Sequence, residues 1–307
     1  MTRTHFDATI LGTLDRCEVL GVTAYRDDLA EPGLDASKHL GTALHAGIHT
    51  FYARGSAALA VECVRDTFGG FVSPRKPWIT AQYASQIMQM FPQALDVTRL
   101  GYEVLHTEQY LANDGMEYCG IMDLHVRNAN GEHGVFDVKS TALWLSRAWQ
   151  EQWRHSEQGA GYLDLAEHTF GVPMHYFGVL AIHVQSAKLR KNGTWKALEP
   201  VADDFVMVGP HSYSPELRTE LRVQRYQKIL RAWELWRGNA APLKRTSACH
   251  DFNRACYLLK YCTLAPRDRA DAMALAQATG ELATTHWDPA TVRAPLTLPS
   301  STLSLES

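Results

Sequence analysis

Apolar and polar positions alternate along three consecutive stretches in the middle of the chain: residues 103–111, 116–127 and 134–140. Two segments with sequences typical of hairpin turns separate them: Asn113-Asp-Gly115 and Asn128-Ala-Asn-Gly131. We therefore predict a three-stranded meander. Side chains alternate between the two faces of a strand, so Asp123 should share a face with His125, and Asp137 should share one with Lys139.

Helical periodicity and helix-capping signals surround this meander. The pattern predicts helices at residues 41–68, 79–91, 156–170 and 214–237. Further strands are predicted at residues 176–185, 194–198 and 204–208. This order favours an α/β fold, with a mixed central sheet flanked by helices and additional helical segments toward both ends. We interpret residues 1–287 as one domain with its core at about 41–237, and the Pro/Thr/Ser-rich residues 288–307 as a loose tail.

The composition is that of a globular chain. Of 307 residues, 46% are hydrophobic and 21% are charged, and the formal net charge is -3. A nucleic-acid partner would therefore need a local basic surface. No apolar run reaches the roughly 18–20 residues of a membrane-spanning helix, and the N-terminus lacks a signal-peptide core. We expect a cytoplasmic protein without a membrane partner, in a compartment where its six cysteines do not form disulfides.

Two carboxylates on adjacent predicted strands, Asp123 and Asp137, can together bind Mg²⁺ or Mn²⁺, because hard cations prefer oxygen ligands. The backbone carbonyl of Val138 could supply a further oxygen. A cation bound there would polarise a phosphodiester and lower the pKa of a bound water. Lys139 could position that water or neutralise charge developing on the phosphoryl oxygens. An Asp-x-Lys triplet is also common on exposed strands, so these residues alone leave a solvated surface as the alternative.

The helix predicted at 156–170 places Gln158 and Tyr162 on one face, where this neutral pair could hold a nucleic-acid backbone against the metal. In order and spacing, three motifs resemble the PD-(D/E)XK nuclease superfamily: Gly120-Ile-Met-Asp123, Phe136-Asp-Val-Lys139 and Gln158-x-x-x-Tyr162. The resemblance is strongest to the RecB-like exonuclease branch, which includes phage exonucleases and CRISPR-adaptation nucleases. It covers roughly residues 15–265, although the proline that names the superfamily is absent before Asp123. It implies a restriction-endonuclease-like core.

A histidine motif strengthens this resemblance. Gly41-Thr-Ala-Leu-His45 matches the motif that precedes the core in the RecB-like branch, which implies that His45 is a metal ligand. For His45 considered alone, a buried core histidine is the alternative. His49 lies one helical turn later and has no counterpart in the pattern, although a zinc pair with His45 is conceivable. Glu108 stands where the family often carries an acid, as an outer metal ligand or as a salt-bridge partner.

Four cysteines lie near the two ends of the chain: Cys17, Cys249, Cys256 and Cys262. Thiolates suit iron–sulfur clusters or zinc, and composition does not choose between these two or exclude unligated cysteines. In several RecB-like nucleases one N-terminal and three C-terminal cysteines bind a four-iron four-sulfur cluster, so the resemblance implies one here. The two remaining cysteines, Cys63 and Cys119, are interpreted as buried residues.

Two groups of basic residues could contact DNA phosphates: Arg218, Arg222 and Arg225 on one helix face, and Lys188 and Arg190 at a strand end. A solvated helix face is the alternative for the arginines. Three tryptophans follow Lys139: Trp144, Trp149 and Trp153. They could stack unpaired bases or pack in the core, and we expect at least two of the three in the core.

Together these features predict a metal-dependent DNA exonuclease that uses Mg²⁺ or Mn²⁺. The resemblance suggests that it processes single- or double-stranded DNA ends in a phage or a recombination and repair context, in a bacterial or phage-infected cell. A recombination protein is a candidate partner. Two alternatives stay open. One is a DNA-end-binding or assembly subunit whose nuclease site is idle. The other is a structure-specific endonuclease.

Overall fold

The structure is a computed structural model that describes residues 5–31, 36–191, 193–245, 249 and 256–285. The α-helices and β-strands, in chain order, are α1 (Ala8–Arg16), α2 (Glu18–Tyr25), β1 (Leu29–Ala30), α3 (Ala36–Arg54), α4 (Ala57–Phe68), α5 (Ala81–Ala94), β2 (Glu103–Asn113), β3 (Tyr118–Arg127), β4 (His133–Thr141), α6 (Arg147–Glu151), α7 (Glu157–Phe170), β5 (Met174–His183), β6 (Phe205–His211), α8 (Pro215–Trp236), α9 (Leu259–Cys262), α10 (Pro266–Ala278) and β7 (Ala283–Thr284). The tail predicted at 288–307 lies outside the described residues.

Five strands form the central sheet, in the order β2-β3-β4-β5-β6. The pairs β2–β3, β3–β4 and β5–β6 are antiparallel, whereas β4 and β5 are parallel. A parallel pair needs a long crossover, and α7 supplies it. The predicted α/β fold with a mixed central sheet flanked by helices is confirmed. A separate two-stranded sheet pairs β1 with β7, which joins the N-terminal helices to the C-terminal segment.

Two layers of helix cover the sheet, one on each face. Leu44, Phe91 and Val138 belong to the core between the sheet and α3, α4 and α5. Leu163 and Val179 belong to the core on the opposite face, beneath α1, α7 and α8. These apolar layers bury most of β3, β4 and β5, whereas the edge strands β2 and β6 are partly exposed. A polar side chain on the three inner strands therefore needs a partner.

Local sequence explains most helix boundaries. Ser156 and Ser214 accept hydrogen bonds from backbone N–H groups in the first turns of α7 and α8. Gly171 ends α7 at a φ of 66°, a conformation that glycine adopts without strain. The single helix predicted at 41–68 was wrong. Gly55 takes a φ of 63° and Ser56 caps a new helix, so the segment divides into α3 and α4.

The strand predicted at 194–198 was also wrong. Trp195 forms only an isolated bridge with Leu189, in the connection between β5 and β6. The backbone of this segment instead bonds locally within the connection, from the Arg190 N–H to the Thr194 carbonyl and from the Lys196 N–H to the Lys188 carbonyl, and it does not join the central sheet. Among the described residues, no helix is long and apolar enough to cross a membrane.

Candidate metal centre

Strands β3 and β4 separate at the acidic residues. Their pairing runs from Arg127↔His133 to Leu124↔Phe136 and ends there. Beyond this point Asp123 Oδ2 accepts a hydrogen bond of 2.6 Å from the backbone N–H of Val138. The carboxylate thus takes the place of a missing strand partner, which fixes Asp123 in the fork between the two strands.

Asp123 meets two side chains from other elements in this fork. His45 Nδ1, on α3, lies 3.1 Å from Asp123 Oδ1 and 2.9 Å from Glu108 Oε1 on β2. All three side chains are nearly covered, with 14%, 11% and 5% exposure for His45, Glu108 and Asp123. One possible ligand atom from each lies within 4.8 Å of the other two. The helix, the edge strand and the fork therefore place an imidazole and two carboxylates around one point.

The backbone at Glu108 is distorted within β2. Its φ is 50°, although the residues on either side pair normally with β3, Thr107 with Leu124 and Gln109 with Met122. A left-handed conformation is rare for a residue with a side chain and carries a cost. This pairing places Glu108 opposite Asp123, where two like charges repel unless a cation lies between them. The distortion is thus located at the position where the carboxylates converge.

Asp137 adjoins this group from β4. It is fully buried, and its Oδ1 accepts hydrogen bonds of 3.2 Å from Lys139 Nζ and of 3.2 Å from Gln158 Nε2 on α7. Burial raises the pKa of Asp137 to about 6, the positive charge of Lys139 opposes this shift, and the negative charge of Asp123 adds to it. Lys139 Nζ also lies 2.9 Å from Asp137 Oδ2.

Gln158 and Tyr162 share one face of α7, as the sequence predicts. Gln158 Nε2 donates a hydrogen bond of 3.3 Å to the Tyr162 hydroxyl as well as the one to Asp137. Burial, and then the charges of Asp137 and Asp123, raise the pKa of Tyr162 well above its usual value, so its hydroxyl stays neutral. The ring of Tyr162 rests on Gly120, the glycine of the Gly-x-x-Asp motif.

The residues fit a hard divalent cation. Carboxylate oxygens with one imidazole are suitable ligands for Mg²⁺ and above all for Mn²⁺. Asp137 Oδ2 is buried, and the ammonium of Lys139 lies 2.9 Å from it. An ionised carboxylate has about four acceptor sites, so this oxygen keeps the capacity to bind a cation as well. The ligand role of the Val138 carbonyl stays a prediction.

His49, one turn after His45, does not join the group. Its Nδ1 lies 2.5 Å from the Thr107 hydroxyl, and burial lowers its pKa. The three-residue group of possible metal ligands includes Glu108 rather than His49. Within the described residues, therefore, the side chain beside His45 is a carboxylate, which favours the harder cation over zinc.

Sequence reasoning missed the counter-ions of the three arginines on α8. Asp164, on α7, pairs with Arg218 at 2.8 Å, with Arg222 at 2.7 Å and with Arg225. Arg225 is completely buried, so its guanidinium is not accessible to DNA, and the predicted DNA contact is wrong for this residue. The matching helical spacings of acids on α7 and of arginines on α8 could have indicated this network.

The connection between β5 and β6 carries exposed cations at Lys188 and Arg190. Two apolar side chains beside them are also exposed, Leu189 at 58% and Trp195 at 40%. The Trp195 ring packs against Trp78 with a centroid distance of 4.6 Å. A DNA contact through this connection stays a prediction, and the exposure of its basic side chains is compatible with it.

The cysteines at the two chain ends lie near one another. Cys17 caps α2 and belongs to a small apolar cluster against which Cys256 and Cys262 pack. The backbone N–H of Cys256 donates a hydrogen bond of 2.8 Å to the carbonyl of Cys249. Burial and the neighbouring thiols, Cys17 among them, raise the pKa of both Cys256 and Cys262. All four are free thiols, as are Cys63 and Cys119.

Comparison with known proteins gives a likeness of fold. No family model matches the sequence, and no curated protein matches it. A similar solved structure is the 2.19 Å crystal structure of a protein from Eubacterium rectale named "Putative exonuclease". The TM-score is 0.50 at 10% sequence identity, with 86% of this chain and 94% of that chain covered. The chain thus shares an α/β fold with that structure, and its membership of the PD-(D/E)XK superfamily stays a prediction.

Proposed function

We propose that the protein is a metal-dependent deoxyribonuclease that hydrolyses phosphodiester bonds at DNA ends. The observation that carries the proposal is the convergence of His45, Glu108 and Asp123 from three elements, next to the buried Asp137 and its partner Lys139. A cluster of buried carboxylates is costly for folding alone. Binding a divalent cation compensates for this cost.

His45, Asp123 and Asp137 would bind Mg²⁺ or Mn²⁺, with Glu108 and the Val138 carbonyl as further ligands. The cation would supply Lewis-acid polarisation of the phosphodiester and a bound water of lowered pKa. Lys139 is held at Asp137 and partly exposed, so its ammonium can approach the attacking water and the phosphoryl oxygens.

Gln158 orients the Asp137 carboxylate through its amide hydrogen bond. The Tyr162 ring is buried in the core, so its neutral hydroxyl, which accepts a hydrogen bond from the same amide, would hold Gln158 at Asp137 rather than contact the DNA backbone directly. Because each of these groups is fixed by a partner, little reorganisation is needed when a substrate binds.

The preference for DNA ends rests on two supports. The sequence resembles the RecB-like exonuclease branch, and the similar solved structure bears the name of an exonuclease. A role in a phage or a recombination and repair context follows from that resemblance, with a recombination protein as partner. Exposed Lys188 and Arg190 are the phosphate contacts that we propose, together with Arg222, whose side chain is 47% exposed.

The proposal includes a four-iron four-sulfur cluster bound by Cys17, Cys249, Cys256 and Cys262. What supports it is that Cys256 and Cys262 pack against the apolar cluster that contains Cys17, and that the Cys256 N–H donates a hydrogen bond to the Cys249 carbonyl. Four thiolates form a complete ligand set for such a cluster.

The test is cleavage of labelled linear and closed circular DNA by the full chain, with Mg²⁺, with Mn²⁺ and with a chelator. We expect nucleotides to be released from linear DNA only, with loss of activity in the chelator. Asp137→Asn and Lys139→Ala should each lower the rate by at least about 100-fold, whereas exposed Asp203→Asn should not. Cleavage of closed circles would make the enzyme an endonuclease. DNA binding without any cleavage would favour the assembly-subunit alternative and overturn the proposal.

A further inference from the structure

Trp144 is an exposed aromatic side chain in the connection that joins two residues of the candidate metal centre, Lys139 and Gln158. Its side chain is 67% exposed, and the preceding Leu143 is 50% exposed. Trp149 and Trp153, which follow in the same connection, are partly buried against the main core, as expected for two of the three tryptophans. A large apolar surface left in water is costly, and such surfaces often mark binding sites.

The surrounding chain holds the Trp144 indole in place without covering it. The Thr141 hydroxyl accepts a hydrogen bond of 3.0 Å from the Leu143 N–H, and the Trp144 carbonyl accepts one of 2.7 Å from the Ser146 N–H. The indole meets the His183 ring at 82°, with centroids 5.2 Å apart. His183 is itself fixed by Asp204, at 2.9 Å. An exposed but pre-organised aromatic ring loses little entropy when it binds a partner.

The position of Trp144 relates it to the catalytic residues. Trp144 lies in the segment that connects Lys139 to Gln158, and both of these residues belong to the candidate metal centre. Thr141, where β4 ends, is about 13 Å along the strand from Asp137, at the usual rise per residue. His183 ends the parallel neighbour β5 in register with Thr141, so the connections after both strands start at the same edge of the sheet. Grooves at the carboxyl ends of parallel strands commonly bind ligands.

The connection that follows β5 carries exposed cations, which argue for a nucleic-acid occupant at this edge. Lys188, Arg190 and Lys196 are exposed, and a backbone hydrogen bond of 3.0 Å from the Lys196 N–H to the Lys188 carbonyl ties the two ends of this connection together. A protein partner would instead be expected to meet a larger apolar patch with fewer charges. Phosphates attract such cations, and every base has a face that can stack on an indole.

We propose that Trp144 stacks on an unpaired nucleobase a few nucleotides from the cleaved phosphodiester, so that the substrate is single-stranded at the metal centre. The inference rests on the proposed nuclease function and specifies its substrate. Bases within an intact duplex are stacked on their neighbours and are not available to a protruding indole. Single-stranded DNA or a frayed end exposes them.

Binding measurements test the inference. Trp144→Ala, Trp144→Phe and the control Leu275→Ala, which removes a 65% exposed apolar side chain on α10, are each combined with Asp137→Asn. Their affinities for a labelled single strand and for its blunt duplex are measured with Mg²⁺. Trp144→Ala should weaken single-strand binding by between about 5-fold and about 140-fold, because stacking contributes about 1–3 kcal/mol per base. Trp144→Phe should retain most of the affinity, and duplex binding should change less than 2-fold.

An abasic scan separates stacking from a structural effect. A single abasic site is moved stepwise from the DNA end, and one position should weaken binding by the parent protein but not by Trp144→Ala. The inference is overturned if Trp144→Ala binds the single strand as well as the parent, or if it loses single strand and duplex equally. If Trp144→Ala weakens single-strand binding but the protein with intact Asp137 cleaves no DNA, the nuclease proposal is overturned and the single-strand site stands. If that protein cleaves DNA but Trp144→Ala leaves single-strand binding unchanged, the stacking inference is overturned and the nuclease proposal stands.

Discussion

Gly120 lies directly against the ring of Tyr162: a Cβ at position 120 would be only 2.7 Å from Tyr162 Cε1. Tyr162 Cδ1 and Leu165 Cδ1 would lie 3.5 and 3.6 Å from the same Cβ, and because the Tyr162 side chain is buried in the core its ring has little room to withdraw. This contact gives the glycine of the Gly-x-x-Asp motif a physical reason, because the Tyr162 ring occupies the space of a side chain at position 120. Any side chain there displaces the tyrosine.

Gly120→Ala should therefore lower nuclease activity by about 10-fold to 100-fold, because a shift of about 1 Å in a positioning group has effects of that size. Overpacking should also cost about 1–3 kcal/mol of stability. Gly12→Ala on α1 is the control, since a Cβ at position 12 would meet no atom within 4 Å. Steady-state cleavage and thermal denaturation measure the two effects. A Gly120→Ala protein with parental activity would show that Tyr162 does not act in the reaction.

His45 and His49 allow a metal-binding prediction with an internal control. His45→Ala and Glu108→Gln should each weaken Mn²⁺ binding by at least about 10-fold, because both remove groups that converge on Asp123. His49→Ala removes an imidazole from the same helix that contacts Thr107, and it should leave Mn²⁺ affinity within about 2-fold. Calorimetric titration of the metal-free protein measures all three. Equal losses for His45→Ala and His49→Ala would favour a two-histidine zinc site instead.

Most of the geometry of the candidate metal centre could be predicted because its motifs lie on elements with strong local signals. The period of two placed Asp137 and Lys139 together on β4, and the period of helices placed Gln158 and Tyr162 together on α7. The distances that bring α3 to β3 are set by the packing of whole layers, so no local pattern predicts the 3.1 Å contact between His45 and Asp123.

The alternation rule failed in part on β3. Met122 packs in the core beneath α7, whereas Leu124, two residues later, packs in the core on the other face. Strict alternation would place them on one face. The reversal occurs at Asp123, where β3 leaves β4, and it depends on tertiary contacts that a repeating pattern cannot encode.

The break at Gly55 between α3 and α4 was missed for the opposite reason. The signal was local, but the Ala-rich sequence around it favours a continuous helix.

Asp164→Asn should destabilise the protein strongly. At neutral pH we expect a loss of about 3–5 kcal/mol in unfolding free energy, because the buried Arg225 would be left without its counter-ion. Glu167→Gln is the milder control, since Glu167 is 31% exposed and pairs only with Arg218 among the arginines. Urea denaturation followed by circular dichroism measures both. Similar losses for the two variants would contradict this assignment of the network.

The contribution of Asp164 should depend on pH in a definite direction. Burial raises its pKa, but hydrogen bonds from Arg222 and Arg218 and the charge of Arg225 outweigh burial, so the net pKa lies below its usual 3.8. A depressed carboxylate pKa gives stability that is present above the unfolded value and is lost as the pH falls through the folded value. The difference between the parent and Asp164→Asn should thus be constant from about pH 5 to pH 8 and should shrink only below pH 3.8. A difference that shrinks near pH 6 would implicate another group.

The grouped cysteines give a prediction that is independent of activity. Protein purified without oxygen should be brown, with about four iron and four sulfide ions per chain, as expected for a four-iron four-sulfur cluster. Cys17→Ser should abolish the colour and lower thermal stability, because Cys17 lies in the apolar cluster that joins α2 to the segment at residues 256–282. Cys63→Ser, on α4 and outside this group, should keep both. A colourless, zinc-containing protein would indicate a zinc site bound by the same thiols, and a metal-free protein with unchanged stability would show that they are unligated.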